Sequence, residues 1–292
     1  MGFEVLLKKG PTKAKPALSE GPKKGPTALP KPDEIWKDPV TGMEFVRVPG
    51  GCFEMGSPSG EAGRDRDEGP VHEVCVDGFW MGKTEVTNAQ YRKFKSNYNS
   101  GDYKGYSLNG DDQPAVYVSW EEAKFFAKYL TGQGDGGYYF RLPTEAEWEY
   151  ACRAKTSTAR FWGDDPDASC GYANAADLTA KRQWSYWETN ECDDGYEVTA
   201  PVGSFRPNSF GLYDMLGNVF EWSEDIYNED AYRHHKRDNP IYRGNGSQRV
   251  IRGGCWYSWK AGVRCAGRSD HPPAGRNRDY FLGFRLLRTS KP

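Results

Sequence analysis

The sequence predicts an irregular α+β domain with few helices, many short strands and long loops, and three observations carry that reading. With 34 Gly and 19 Pro in 292 residues, much of the chain must be turn and loop. Three segments carry helix-start chemistry, while short apolar runs between turn residues recur through the remainder. Hydrophobic content is 37%, with 10 Trp, 18 Tyr and 14 Phe, so burial must lean on aromatic rings.

Residues 1–36 are rich in Lys, Pro and Gly, with near-copies of KKGPT at residues 8–12 and 23–27. Such a segment cannot bury enough apolar surface to offset its ordering entropy, so it reads as a flexible arm or linker before a domain over residues 37–292. A basic partner-binding arm is the alternative. The domain opens on MEFVRV and CFEM, which read as one hairpin closed by Pro49, Gly50 and Gly51. A polar loop follows, then a strand over residues 72–75 leading to Phe79, Trp80 and Met81.

The helix starts are Thr87 with Gln90, Ser119 with Glu122 and Thr144 with Glu147, each a Ser/Thr cap with Glu/Gln three positions on. Behind the second, Ala123, Phe126, Ala127 and Leu130 make one apolar face; behind the third, Trp148, Ala151 and Cys152 do the same. The Gly-rich residues 132–137 follow a helix and precede a strand, the reverse of a phosphate loop. Residues 162–201 read as loop, rich in Asp and Asn, and short strands alternate with turns through GLYDMLGNVFEW, RVIRGGCW and FLGFRLL.

A formal net charge of -2 gives no electrostatic reason to expect nucleic acid. No apolar run approaches the roughly 20 residues a membrane helix needs, and MGFEVLLKKG is too short in apolar residues for a secretory signal. The seven cysteines lack zinc-ligand spacing. They are either buried free thiols or three disulfides with one odd cysteine, and their number leans towards an exported or periplasmic compartment. The sequence sets no oligomeric state.

The segments PGGCFEMGS, PVHEVCVDGFWMGKTEVTNAQYRKF, PAVYVSWEEAKFFAKYL, RLPTEAEWEYACRA, FWGDD, YANAAD, TAPVGSFRPNSFGLYDMLGNVFEW, RVIRGGCW and LGFRLLR, in this order, resemble the formylglycine-generating-enzyme, or sulfatase-modifying-factor, family over residues 37–288. The resemblance implies a C-type-lectin-like fold. It leaves the activity open, because members of the family oxidise a sulfatase cysteine using copper and a cysteine pair, serve ergothioneine synthesis with non-haem iron, take part in siderophore maturation, or act as binding proteins. The last group includes the variable proteins of diversity-generating retroelements.

In the oxidising members a pair of copper-binding cysteines follows RGGS. Here the stretch reads RGGCWYSWKAGVRCAGRS and is shorter, with Ser258 and Trp259 near the first cysteine's place. Thiolates select Cu(I) and neither Ser nor Trp replaces them, so copper is not expected. Cys255 stands at the family's usual Ser position; it is either a surrogate nucleophile, with Arg252 lowering its pKa, or a small buried residue beside Trp256. Iron lacks an assembled facial triad in His72, His234, His235 and His271. Cys265 aligns with a cysteine that, in some members, is bonded to the one ending the EWEYxC helix, which implies Cys152–Cys265, with Cys52–Cys75 and Cys170–Cys192 as further pairings.

The resemblance also implies structural calcium, a hard cation that takes oxygen ligands. One ligand set is Asn174, the Ala175 carbonyl, Asp194 and the Tyr196 carbonyl; the other is Asp214, the Gly217 and Val219 carbonyls and Glu221. The alternative is that these groups cap turns without metal. The family's groove or display surface corresponds to Trp256, Tyr257, Ser258, Trp259, Ser269, Asp270, His271, Asn277, Arg278, Asp279, Tyr280 and Phe281, aromatics mixed with polar groups as binding surfaces use them. Two functions follow: a binding protein gripping a protein or small-molecule ligand there, possible also as a retroelement-diversified product, or a divergent metal-dependent oxidoreductase.

Overall fold

The computed structural model describes residues 35–133, 137–274 and 279–290, so most of the expected arm and part of the Gly-rich stretch lie outside the described residues. Ile35 and Trp36 already belong to the first strand, although composition groups them with the arm. In chain order the strands are β1 (Ile35–Lys37), β2 (Glu44–Val48), β3 (Gly51–Met55), β4 (His72–Val76), β5 (Phe79–Gly82), β6 (Asp102–Tyr103), β7 (Tyr106–Ser107) and β8 (Tyr138–Arg141). They continue with β9 (Phe220–Ile226), β10 (Arg249–Arg252), β11 (Arg268–His271), β12 (Leu282–Gly283) and β13 (Leu287–Ser290). The helices are α1 (Asn88–Arg92), α2 (Trp120–Gln133), α3 (Glu145–Arg153) and α4 (Leu178–Gln183).

One sheet has the order β1-β2-β5-β13-β8 and another β11-β10-β9-β12, with β3-β4 and β6-β7 as two-stranded ribbons. The expected hairpin of residues 43–55 does not form: β2 pairs with β1 and β5, while β3 pairs with β4. Pro49 has no N–H for a ladder, and an added Cβ on Gly50 would sit 2.8 Å from the Gly78 amide nitrogen. The chain therefore crosses between sheets there instead of turning back on itself.

All three capping boxes form. The Thr87, Ser119 and Thr144 hydroxyls accept from the amides of Gln90, Glu122 and Glu147, whose side chains accept from the cap amides in return. The α2 face of Ala123, Phe126, Ala127 and Leu130 is fully buried with Phe45, Tyr91 and Phe284, worth about 1.5–3 kcal/mol for each large side chain. Helix α3 is buried on every side, packed on β3, β4, β9 and β10. Its carboxylates therefore need partners in the interior, and arginines supply them. Arg252 Nη2 donates to Glu149 (2.6 Å), Arg268 Nε donates to Glu145 (2.7 Å) and Arg153 Nε donates to Glu149 (2.9 Å). Burial opposes ionisation of Glu145, but the Arg268 and Arg252 guanidiniums outweigh it and hold the carboxyl below its usual range.

Residues 162–201, expected as loop, contain α4 and a 3-10 turn at Pro166–Gly171, capped by Asp177 and Asp165. Disulfides join Cys52–Cys75, Cys152–Cys265 and Cys170–Cys192, leaving Cys255 free and buried. Such bridges are the chemistry of an oxidising, exported environment. Among the described residues no helix is long and apolar enough to cross a membrane.

Candidate functional site

Strand β10 ends at Arg252, and the chain turns at Gly253 and Gly254, with φ of 101° and 76°. A Cβ on Gly254 would lie 2.9 Å from the Gly262 carbonyl, so the turn requires glycine. Residues 255–258 then close on themselves: the Cys255 amide donates to Ser258 Oγ (3.0 Å) and the Ser258 amide to the Cys255 carbonyl (2.8 Å). Cys255 is sealed inside, and burial pushes its thiol up to about 11 despite hydrogen bonds from Ser258 and Tyr257. Arg252, instead of activating that thiol, points at Glu149 and the carbonyls of Cys265, Ala266 and Gly267.

Trp256 is buried in an aromatic cluster, with ring centroids 5.0 Å from Tyr257, 5.1 Å from Tyr103, 5.7 Å from Trp184 and Trp187, and 6.0 Å from Tyr280. Tyr257, Tyr280 and Phe281 are half-buried around it, and Ser258 is buried. Trp259 projects outward, 51% exposed. Ser269 and Asp270 lie on β11 opposite Ile251 and Val250. His271 is clamped between the Asp279 carboxylate (Nε2, 2.6 Å) and the Pro272 carbonyl (Nδ1, 3.2 Å), and the Asp279 carbonyl accepts from the Tyr117 amide (3.0 Å). Asn277 and Arg278 lie outside the described residues. The loop turn meets β11 through Phe281, whose ring lies 5.5 Å from Tyr257 and 6.1 Å from His271, whereas Trp259 lines a separate cavity with Pro58, Glu61, Ala159 and Arg160.

Sequence reasoning missed Tyr103, Trp184 and Trp187, which complete this face from the β6–β7 ribbon and the end of α4. The available signal was WSYW, three aromatics in four residues within a polar loop.

The first oxygen set fits a cation. Asn174 Nδ2 donates to the Val198 carbonyl (2.8 Å) while its buried Oδ1 has no donor, and Asp194 Oδ2 is likewise buried without one. The Tyr196 amide holds Asp194 Oδ1 (2.8 Å), and the Ala175 amide also reaches that carboxylate, which brings the two segments together. Burial, with Asp177 nearby, raises Asp194 to about 8, so a positive charge there would relieve an uncompensated carboxylate.

In the second set the one glutamate is already taken up by arginine. Both Glu221 oxygens are occupied by Arg285 Nε (2.9 and 2.7 Å), and Oε2 also accepts from Trp148 Nε1 (2.8 Å). The carboxyl facing Asp214 belongs to Glu85, a residue the sequence did not single out; Asp214 Oδ1 and Glu85 Oε2 have no donor. Gly217 is fixed by a close approach, a Cβ there lying 2.2 Å from the Asn174 carbonyl, and Val219 is core. Among the described residues no group of three or more His, Cys, Asp or Glu side chains is arranged to hold a metal. His72 Nε2 meets His235 Nδ1 at 3.1 Å, whereas His234 turns towards Tyr242.

Short strands and long loops pinned by buried arginines, with one loop cluster presented at the side, are the C-type-lectin-like architecture that the sequence motifs imply. The chain belongs to the sulfatase-modifying factor enzyme 1-like family, whose domain it matches over residues 31–290. It is 30% identical to the formylglycine-generating enzyme of Streptomyces coelicolor, covering 93% of this chain and 95% of that protein. The structure of PvdO from Pseudomonas aeruginosa is similar at 29% identity with a TM-score of 0.73, over 89% of this chain and 99% of that one. Treponema denticola variable protein 1 shares the fold, with a TM-score of 0.64 at 22% identity over 88% and 98% of the two chains.

Proposed function

We propose that this chain is a binding member of the family, gripping a protein or small-molecule ligand on the loop face around Trp256, Tyr257, Trp259 and Tyr280, and that it does not perform copper-dependent oxidation. The observation that carries this is the fate of the cysteines. Six are joined in disulfides and the seventh, Cys255, is buried with a raised pKa, which leaves no accessible thiol pair for Cu(I) after Gly254. Half-exposed aromatic rings over a rigid base supply contact area at small entropy cost, and Asp270 and Asp279 supply polar contacts. One calcium ion, held by Asn174, Asp194 and the Ala175 and Tyr196 carbonyls, would fix the 174–176 and 194–196 segments; its part is structural.

Metal analysis tests both parts. After equilibration with Ca²⁺ and Cu(I) and desalting, native mass spectrometry is expected to find one calcium and no tightly held copper, and D194N to lose the calcium. Stoichiometric copper would overturn the reading. The 30% identity to a formylglycine-generating enzyme favours the second reading, a divergent metal-dependent oxidoreductase; oxygen uptake on addition of a thiol peptide would select it.

A further inference from the structure

The three disulfides occupy different surroundings. Cys152–Cys265 is fully buried and joins positions 113 residues apart. Cys170–Cys192 is half-buried, with Cys170 Sγ 3.7 Å from the Asp177 carboxylate. Cys52–Cys75 is the reverse case. Cys52 is exposed, and Arg237 Nη2 donates to its Sγ at 3.7 Å, with Glu73 and Asp238 holding the guanidinium in place.

We propose that Cys52–Cys75 is a thiol–disulfide exchange site, with a small thiol such as glutathione as the exchange partner. The incoming thiolate attacks the exposed Cys52 Sγ; the Cys52–Cys75 bond breaks, and Cys75 leaves as a thiolate that takes a proton from water. A second thiolate attacks the sulfur of the attached small thiol, and Cys52 departs as a thiolate beside Arg237. One protein disulfide and two thiols become two protein thiols and one small-molecule disulfide. Arg237, which donates to Cys52 Sγ, favours the second step by stabilising Cys52 as leaving group.

The fold tolerates the open state. Cys52 and Cys75 face each other in a β3–β4 ladder running from Gly51 opposite Val76 to Met55 opposite His72. On its other side Cys75 is held through its backbone, donating to the Arg237 carbonyl and accepting from the Asn239 amide, both at 2.8 Å. The strands therefore stay paired when the sulfurs separate.

Graded reduction of the intact native chain with glutathione, acid quenching and differential alkylation with peptide mapping tests this. Cys52–Cys75 is expected to open at least roughly tenfold faster than Cys170–Cys192, with glutathione first on Cys52 and not Cys75. R237Q is expected to slow opening about three- to tenfold, and R237K to restore most of it, with circular dichroism unchanged. Opening of Cys170–Cys192 first, an adduct on Cys75, or an R237Q rate equal to wild type would overturn the exchange site. Cys255, sealed in the core, serves as the control thiol that stays unalkylated while the fold persists.

Discussion

The ion-paired frame around α3 and the aromatic face after Gly254 touch at Arg252, yet they are built by opposite rules. In the frame, direction matters: Arg252 and Arg268 meet carboxylates of α3 and backbone carbonyls at hydrogen-bond distance in the buried interior. In the face, area matters: rings of Tyr103, Trp184, Trp187, Tyr257 and Tyr280 lean on Trp256 at centroid distances of 5.0–6.0 Å. A frame of that kind fixes loop position without prescribing what the loops carry. The difference explains how a chain can keep the family's architecture while losing the thiolates one of its activities needs.

The contrast sets an order of sensitivity. Arg252→Ala strips the buried Glu149 of a partner and should cost about 3–5 kcal/mol in denaturant unfolding; a loss no greater than that of a surface substitution would mean the frame is not held by its ion pairs. Trp256→Ala removes the base of the face and should cost about 3–4 kcal/mol, with loss of near-ultraviolet dichroism. Next comes a pH effect at the edge of the frame. Burial holds His235 down at about 4, against 6.5 for the free ring, with His72 and Arg268 adding to the shift and Glu145 and Glu149 opposing it. The folded state therefore binds fewer protons than the unfolded one between those values. The stability contribution is fully present above pH about 6.5 and is lost as pH falls towards about 4, on the order of 2 kcal/mol after discounting for partial exposure. H235Q should flatten that acid limb, and parallel limbs for the two proteins would refute the assignment. Smallest is Trp259→Ala, within about 0.5 kcal/mol of wild type in stability because its ring is half in solvent; under the proposed function its larger effect would fall on ligand binding.

What could be read in the sequence follows the same division. Helices α2 and α3 were legible because a capping box and a periodic face are local signals, carried by Ser119 with Glu122 and by Thr144 with Glu147. The partners of β2 and β3 were not, because strand pairing is settled by distant segments, and Pro49 with Gly50 reads equally as a hairpin turn or a crossing between sheets. The pairing of Cys152 with Cys265 came from the family resemblance, not from the spacing. Two features needed three dimensions: Glu85 facing Asp214, and Arg285 occupying Glu221. Nothing local to Glu85 marks it as buried beside another carboxyl.

The most direct measurement is conversion of a sulfatase-derived cysteine peptide. Purified protein is incubated with Cu(I), oxygen and a thiol reductant, and the peptide mass is followed. We expect the cysteine to remain a thiol or pass into disulfides, because Ser258 and Trp259 stand near the first copper cysteine's place and no accessible thiol pair follows Gly254. Appearance of the aldehyde, with turnover dependent on this protein, would contradict the assignment of a non-oxidising binding scaffold.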